Sequence, residues 1–124
     1  MQHDSLISFL NGERPAAELW AEIEPEVGDC IAGCAKHGSG GVIVTSGPET
    51  QISREHVAVL IAALTEDKLP MEAASYIADA LIMSDDFVWK DEGIAEALFR
   101  LADESAPLTM SDLQWARSRV ATAA

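Results

Sequence analysis

Apolar side chains recur along most of this chain at three- and four-residue intervals, the period of a helix with one buried face. "DSLISFLNG" predicts a short first helix, with Asp4 or Ser5 as its N-cap and Asn11-Gly12 as its stop. A second helix is expected from Pro15, where a proline loses no hydrogen bond, with Leu19, Ile23, Val27, Cys30, Ile31 and Cys34 as its buried stripe. Pro25 interrupts that pattern, so the stripe continues through a kink or through two abutting helices.

From Ile52 onward the helical period is strong. Ser53 should cap a helix that buries Val57, Leu60, Ile61 and Leu64. Pro70 should open another that buries Ala73, Ile77, Ala80 and Leu81. Asp91 begins a third, with Ile94, Leu98 and Leu101 inward, and Thr109 with Asp112 forms a capping box before the last. Short connections between such helices favour antiparallel neighbours. The expected fold is a single all-α domain over residues 1–124, an antiparallel bundle of five to six helices.

One stretch breaks the period. "HGSGGVIVTSGPETQ" combines glycines and a proline with the β-branched run Val42, Ile43, Val44 and Thr45, which predicts a Gly-rich loop or a short extended segment near 38–50. A lone strand cannot satisfy its own hydrogen bonds, and no second convincing strand is visible. Local turns are the expected solution, with pairing to a partner or to another copy as the alternative.

Composition changes this picture through charge. The apolar fraction of 48% is that of a folded protein, and 124 residues suffice for one core. The net charge is −13, which repels phosphate backbones and anionic lipid surfaces, so neither nucleic acid nor membrane is an expected partner. Residues 41–104 concentrate the imbalance, with 13 acidic against 4 basic side chains. No apolar run approaches the roughly 20 residues of a membrane span, and the N-terminus lacks a signal-peptide pattern, so a cytoplasmic location is expected. In that compartment Cys30 and Cys34 remain reduced.

The acidic corner in "IADALIMSDDFVWKDEGIAEALF" is the main candidate site. As a calcium loop starting at Asp85 it fails, because Phe87, Trp89 and Lys90 occupy positions that need oxygen ligands and glycine. As a catalytic pair Asp85 and Asp86 lack a neighbouring histidine, oxyanion-binding loop or nucleophile, so no enzyme and no cofactor are expected. Cys30, Cys34 and His37 place three soft ligands on one helical face, but the cysteines lie on the apolar stripe and read as core side chains. No metal site is expected.

A docking surface fits better. Glu72 and Asp79 are seven residues apart on one helix face, Asp86 continues the interval, and Asp91 and Glu92 follow at the next helix N-terminus, where the helix dipole alone would favour them. Phe87 and Trp89 are expected to seal the helix ends, or, for a Trp89 left partly exposed, to anchor an interface. The expected partner-binding residues are Glu72, Asp79, Asp85, Asp86, Trp89, Asp91 and Glu92.

The run from Ile52 to Glu104, particularly "YIADALIMSDDF" and "EALFRLAD", resembles the small acidic immunity proteins of bacterial polymorphic-toxin and contact-dependent growth inhibition systems. That resemblance implies a noncatalytic protein that binds a cognate toxin, commonly a basic nuclease, over its active site or substrate groove. The alternative is a structural or regulatory helical interaction module with no toxin partner, a homodimer among its forms, whose acids serve solubility.

Overall fold

The structure is a computed structural model that describes residues 1–37 and 41–121, with side chains described for 1–34 and 41–121. It is all-α apart from one minimal sheet. The helices are α1 (His3–Leu10), α2 (Ala16–His37), α3 (Arg54–Thr65), α4 (Met71–Met83), α5 (Glu92–Ala102) and α6 (Met110–Val120). The strands β1 (Thr50–Gln51) and β2 (Phe87–Val88) pair in parallel, Thr50 opposite Phe87 and Gln51 opposite Val88. The second strand, not visible in the sequence pattern, is therefore the acidic corner itself.

The caps explain most of the boundaries. Ser53 accepts from the His56 N–H at 3.2 Å while the His56 ring accepts from the Ser53 N–H at 3.1 Å, a capping box closed by a histidine. Thr109 and Asp112 close the expected box at α6, and Asp91 caps α5. The Asp4 or Ser5 cap expected for α1 is not what forms. The helix starts at His3, and Glu22 on α2 accepts from the Gln2 N–H at 3.2 Å and from the buried Ser5 hydroxyl at 2.7 Å. A carboxylate from a neighbouring helix thus satisfies this N-terminus in place of a local side chain.

α2 runs unbroken through Pro25. Pro25 and Ala21 are both exposed, so the proline and the residue whose carbonyl loses its helical donor lie on the surface side of the helix. The expected stripe holds at Leu19, Ile23 and Val27, which are buried, but Ile31 is 48% exposed. Gly28, Asp29 and Ala32 are exposed as well, so the last turns of α2 run along the surface and Cys30 and Cys34 are only half-buried. The His37 side chain of the C-x3-C-x2-H pattern lies outside the described residues.

Packing centres on α4, which buries Ala73, Ala74, Tyr76, Ile77, Ala78, Ala80 and Leu81 and touches α2, α3 and α5. Side chains buried nearly all round mark a helix enclosed by its neighbours. Leu60, Ile61, Leu98 and Leu101 complete the core around it, and truncation of any of these to alanine is expected to cost about 2–5 kcal/mol. α5 and α6 lie antiparallel, clasped by Arg100 with Asp112 at 2.7 Å and by Arg119 with Glu96.

Residues 41–49 form a strap without regular secondary structure. The local turns expected for Val42–Thr45 are absent, because the strap is held by distant groups. The Met1 ammonium donates to the Ile43 carbonyl at 2.9 Å, the Thr45 N–H donates to the Met1 carbonyl at 2.9 Å, and the Ile43 N–H reaches the Tyr76 hydroxyl at 3.3 Å. The same ammonium pairs with Glu26, whose carboxylate also accepts from the Tyr76 hydroxyl at 2.8 Å.

Candidate functional site

The acidic corner joins α4 to α5. Ser84 leaves the helix in an extended conformation, the Ser84 hydroxyl accepts from the Asp86 N–H at 3.2 Å, and β2 then pairs with β1, which follows the strap. Phe87 is 4% exposed and stacks on the His3 ring, with centroids 4.8 Å apart and planes 4° from parallel. His3 is 3% exposed and neither ring nitrogen has a hydrogen-bond partner among the described residues. Gly47 closes over that ring so tightly that a Cβ there would collide with it. Phe87 is therefore the aromatic that seals the helix ends, while Trp89 is half-buried, packed on the core edge with part of its ring accessible.

The carboxylates divide by what they already hold. Asp86 accepts from the Gly47 N–H at 3.1 Å, and its main-chain carbonyl accepts from the Thr50 N–H at 2.7 Å, so this residue holds the strap where it enters β1. Asp91 accepts from the Gly93 N–H at 2.7 Å and receives the Arg54 guanidinium on both oxygens, at 2.6 and 3.2 Å. The Arg54 hydrogen bond, with the two amides adding to it, holds the Asp91 carboxyl below the usual carboxylate range, and the same contact raises Arg54. Both acids are structural members of the corner.

Asp85 and Glu92 are exposed and hold no ion pair among the described residues. Asp79 is half-buried in the surface strip of α4, where desolvation, and secondarily the Glu104 charge, push its carboxyl upward. Glu72 is exposed near the start of α4 and borders a different cleft, with Ser75, Leu101, Asp103 and Glu104. About 16 Å of helix separates it from Met83 at the other end. Of the expected stripe, Glu72 and Asp79 lie along α4 and Asp91 braces the start of α5, while Asp85, Asp86 and Trp89 line the clefts at the corner.

Two shallow clefts meet there. One, of about 450 Å³, runs between the strap residues Val42, Ile43, Val44 and Ser46 and the end of α4 with Asp85 and Asp86. The other, of about 330 Å³, is bounded by Ile82, Ser84, Asp85, Phe87, Val88 and Trp89. Asp85 borders both. Ile43 and Met83, at 69% and 68%, are the most exposed large apolar side chains of the described residues, and both line the first cleft. Sequence reasoning missed these two. Met83 lies off the apolar stripe of α4, which was a visible signal, but nothing local indicates that the strap would carry Ile43 beside it.

Among the described residues, no group of three or more histidine, cysteine or acidic side chains is arranged to hold a metal ion, and no helix is long and apolar enough to cross a membrane. Burial, followed by the charge of Cys34, raises the Cys30 thiol. No protein-family model, curated protein or solved structure matches this chain.

Proposed function

We propose that this chain is a noncatalytic binding protein that neutralises a basic protein partner, in the manner of the small acidic immunity proteins that its residues 52–104 resemble, by covering the partner's active site or groove with the corner between α4 and α5. The observation that carries the reading is Asp85, an exposed carboxylate without an ion pair among the described residues, set between two clefts beside the exposed Ile43 and Met83. Charge selects and steers the partner, and apolar contact retains it.

The chain's net −13 has a further kinetic effect. Steering by a field of this sign raises association with a positively charged cleft by roughly 10- to 10³-fold at low salt. It fades as the screening length shrinks to about 10 Å at 0.1 M salt. Asp86 and Asp91 support the site indirectly by fixing the strap and the start of α5. Glu72 and Asp79 extend the negative field along α4, Trp89 borders the docking face, and Glu92 adds an exposed charge at the start of α5.

The test has two parts. Proteins of the source cell retained on the immobilised chain at low salt should include a basic one that is lost with Asp85→Lys. Expression of that protein alone should arrest growth, and co-expression of the chain should relieve the arrest. Retention indifferent to Asp85→Lys, or toxicity that the chain does not relieve, would falsify the reading.

A further inference from the structure

The strap has two unequal edges. On one, Met1 donates to the Ile43 carbonyl and accepts from the Thr45 N–H, both at 2.9 Å, the bonding pattern of a parallel bridge with Met1 opposite Val44. The Ile43 N–H meets Tyr76 and the Gly47 N–H meets Asp86 on this same edge. Residues 43, 45 and 47 therefore turn main-chain groups inward at the two-residue period of an extended chain.

The alternate residues turn theirs outward. Among the described residues, neither the N–H nor the C=O of Val44 or Ser46 has a hydrogen-bond partner. Val42, Val44 and Ser46, together with Ile43, also line the cleft shared with Met83, Ser84, Asp85 and Asp86. An unpaired strand edge beside an apolar and acidic cleft is a template for an added strand, with main-chain bonds giving affinity and alternate side chains giving selectivity.

We infer that the outward edge of Val44 and Ser46 receives an extended segment of the protein partner by β-augmentation, its apolar side chains against Ile43 and Met83 and its alternate lysine or arginine side chains beside Asp85. A second copy of this chain is a poorer occupant, because it would bring an equal −13 and its own Asp85 and Asp86 to the same place. The inference rests on the basic-partner reading above and adds the geometry of recognition.

The probe is an eight-residue peptide of alternating lysine and valine, titrated into the isotope-labelled full chain. The controls are its glutamate–valine counterpart and a backbone N-methylated lysine–valine peptide. Val44→Pro removes the outward N–H yet keeps the inward bonds of residues 43, 45 and 47, and it follows a residue that is already extended.

The lysine–valine peptide should shift and protect the Val44 and Ser46 amides, and the glutamate peptide should not. Val44→Pro or peptide N-methylation should weaken binding about tenfold. The N-methylated arm keeps the test decisive should Val44→Pro not fold. Binding weakened by Asp85→Lys but indifferent to both backbone changes overturns the edge while the docking reading stands. Binding indifferent to all three overturns both. Protection of Val44 that grows with protein concentration in the absence of peptide overturns the occupant in favour of a second copy.

Discussion

Replacing Asp86 with alanine separates the structural carboxylate of the corner from the docking one. The change removes the oxygen that accepts the Gly47 N–H at 3.1 Å and leaves the Thr50 bond to the main-chain carbonyl intact. A hydrogen bond to a charged group contributes about 1.5–3 kcal/mol. Asp86 and Gly47 are both half-buried, so water replaces part of it, and a loss of about 1–2 kcal/mol is expected. At about 4 °C per kcal/mol for a chain of this length, the melting temperature should fall by roughly 4–8 °C. Amide exchange at Gly47 should quicken by about 5- to 30-fold, the same energy read as a population of opened strap. Asp86→Asn, which keeps an acceptor, should recover most of the loss. Parental melting of Asp86→Ala with unchanged exchange at Gly47 would refute the side-chain clasp and leave the strap held by Met1, His3, Tyr76 and the main-chain bond of Thr50.

Three further perturbations probe the rest of the frame. Tyr76 is the chain's only tyrosine, and burial, with the Glu26 hydrogen bond adding to it, pushes it up to about 12. Its stabilising contribution is complete below the ordinary value near 10 and is lost as pH rises through 12. Tyrosinate absorbance should therefore appear only near pH 12, and a midpoint near 10 with the helices intact would contradict its burial. Burial lowers His56, whose neutral ring accepts from the Ser53 N–H, so its contribution is present above pH 6.5 and lost as pH falls. His56→Gln keeps a neutral acceptor and should flatten the fall in stability between pH 7 and 5; an unchanged slope would count against the capping role. Gly93 lies where an added Cβ would strike the Arg119 carbonyl of α6, so Gly93→Ala should destabilise by about 1–3 kcal/mol, and a denaturant midpoint at the parental value would show that α5 and α6 yield freely.

The helices were legible because their information is local. The buried sets Val57, Leu60, Ile61 and Leu64, and Ile94, Leu98 and Leu101, repeat within a few residues, and the Ser53, Asp91 and Thr109 caps act within three. What stayed hidden is held across the chain. Thr45 and Ile43 bond to Met1 over some forty residues, Asp86 reaches Gly47, and Glu22 takes over the N-terminus of α1. The same distance effect reassigned the corner, since acids at Asp86 and Asp91 look identical in sequence to Asp85 and Glu92 until Gly47 and Arg54 are seen to occupy them. Ile31 shows the converse: it keeps the helical period of the buried stripe yet is 48% exposed, because period alone does not say where neighbouring elements stop.

The most direct test of the docking account compares two charge reversals at opposite ends of α4, Asp85→Lys and Glu72→Lys, in the association rate with the retained basic protein at low and moderate salt. Both remove the same net charge, so a diffuse field predicts equal effects. The account predicts that Asp85→Lys slows association by about tenfold or more at low salt and also speeds dissociation, while Glu72→Lys gives a smaller, purely salt-dependent slowing. Equal effects of the two reversals, or a larger one at Glu72, would contradict a docking face centred on Asp85.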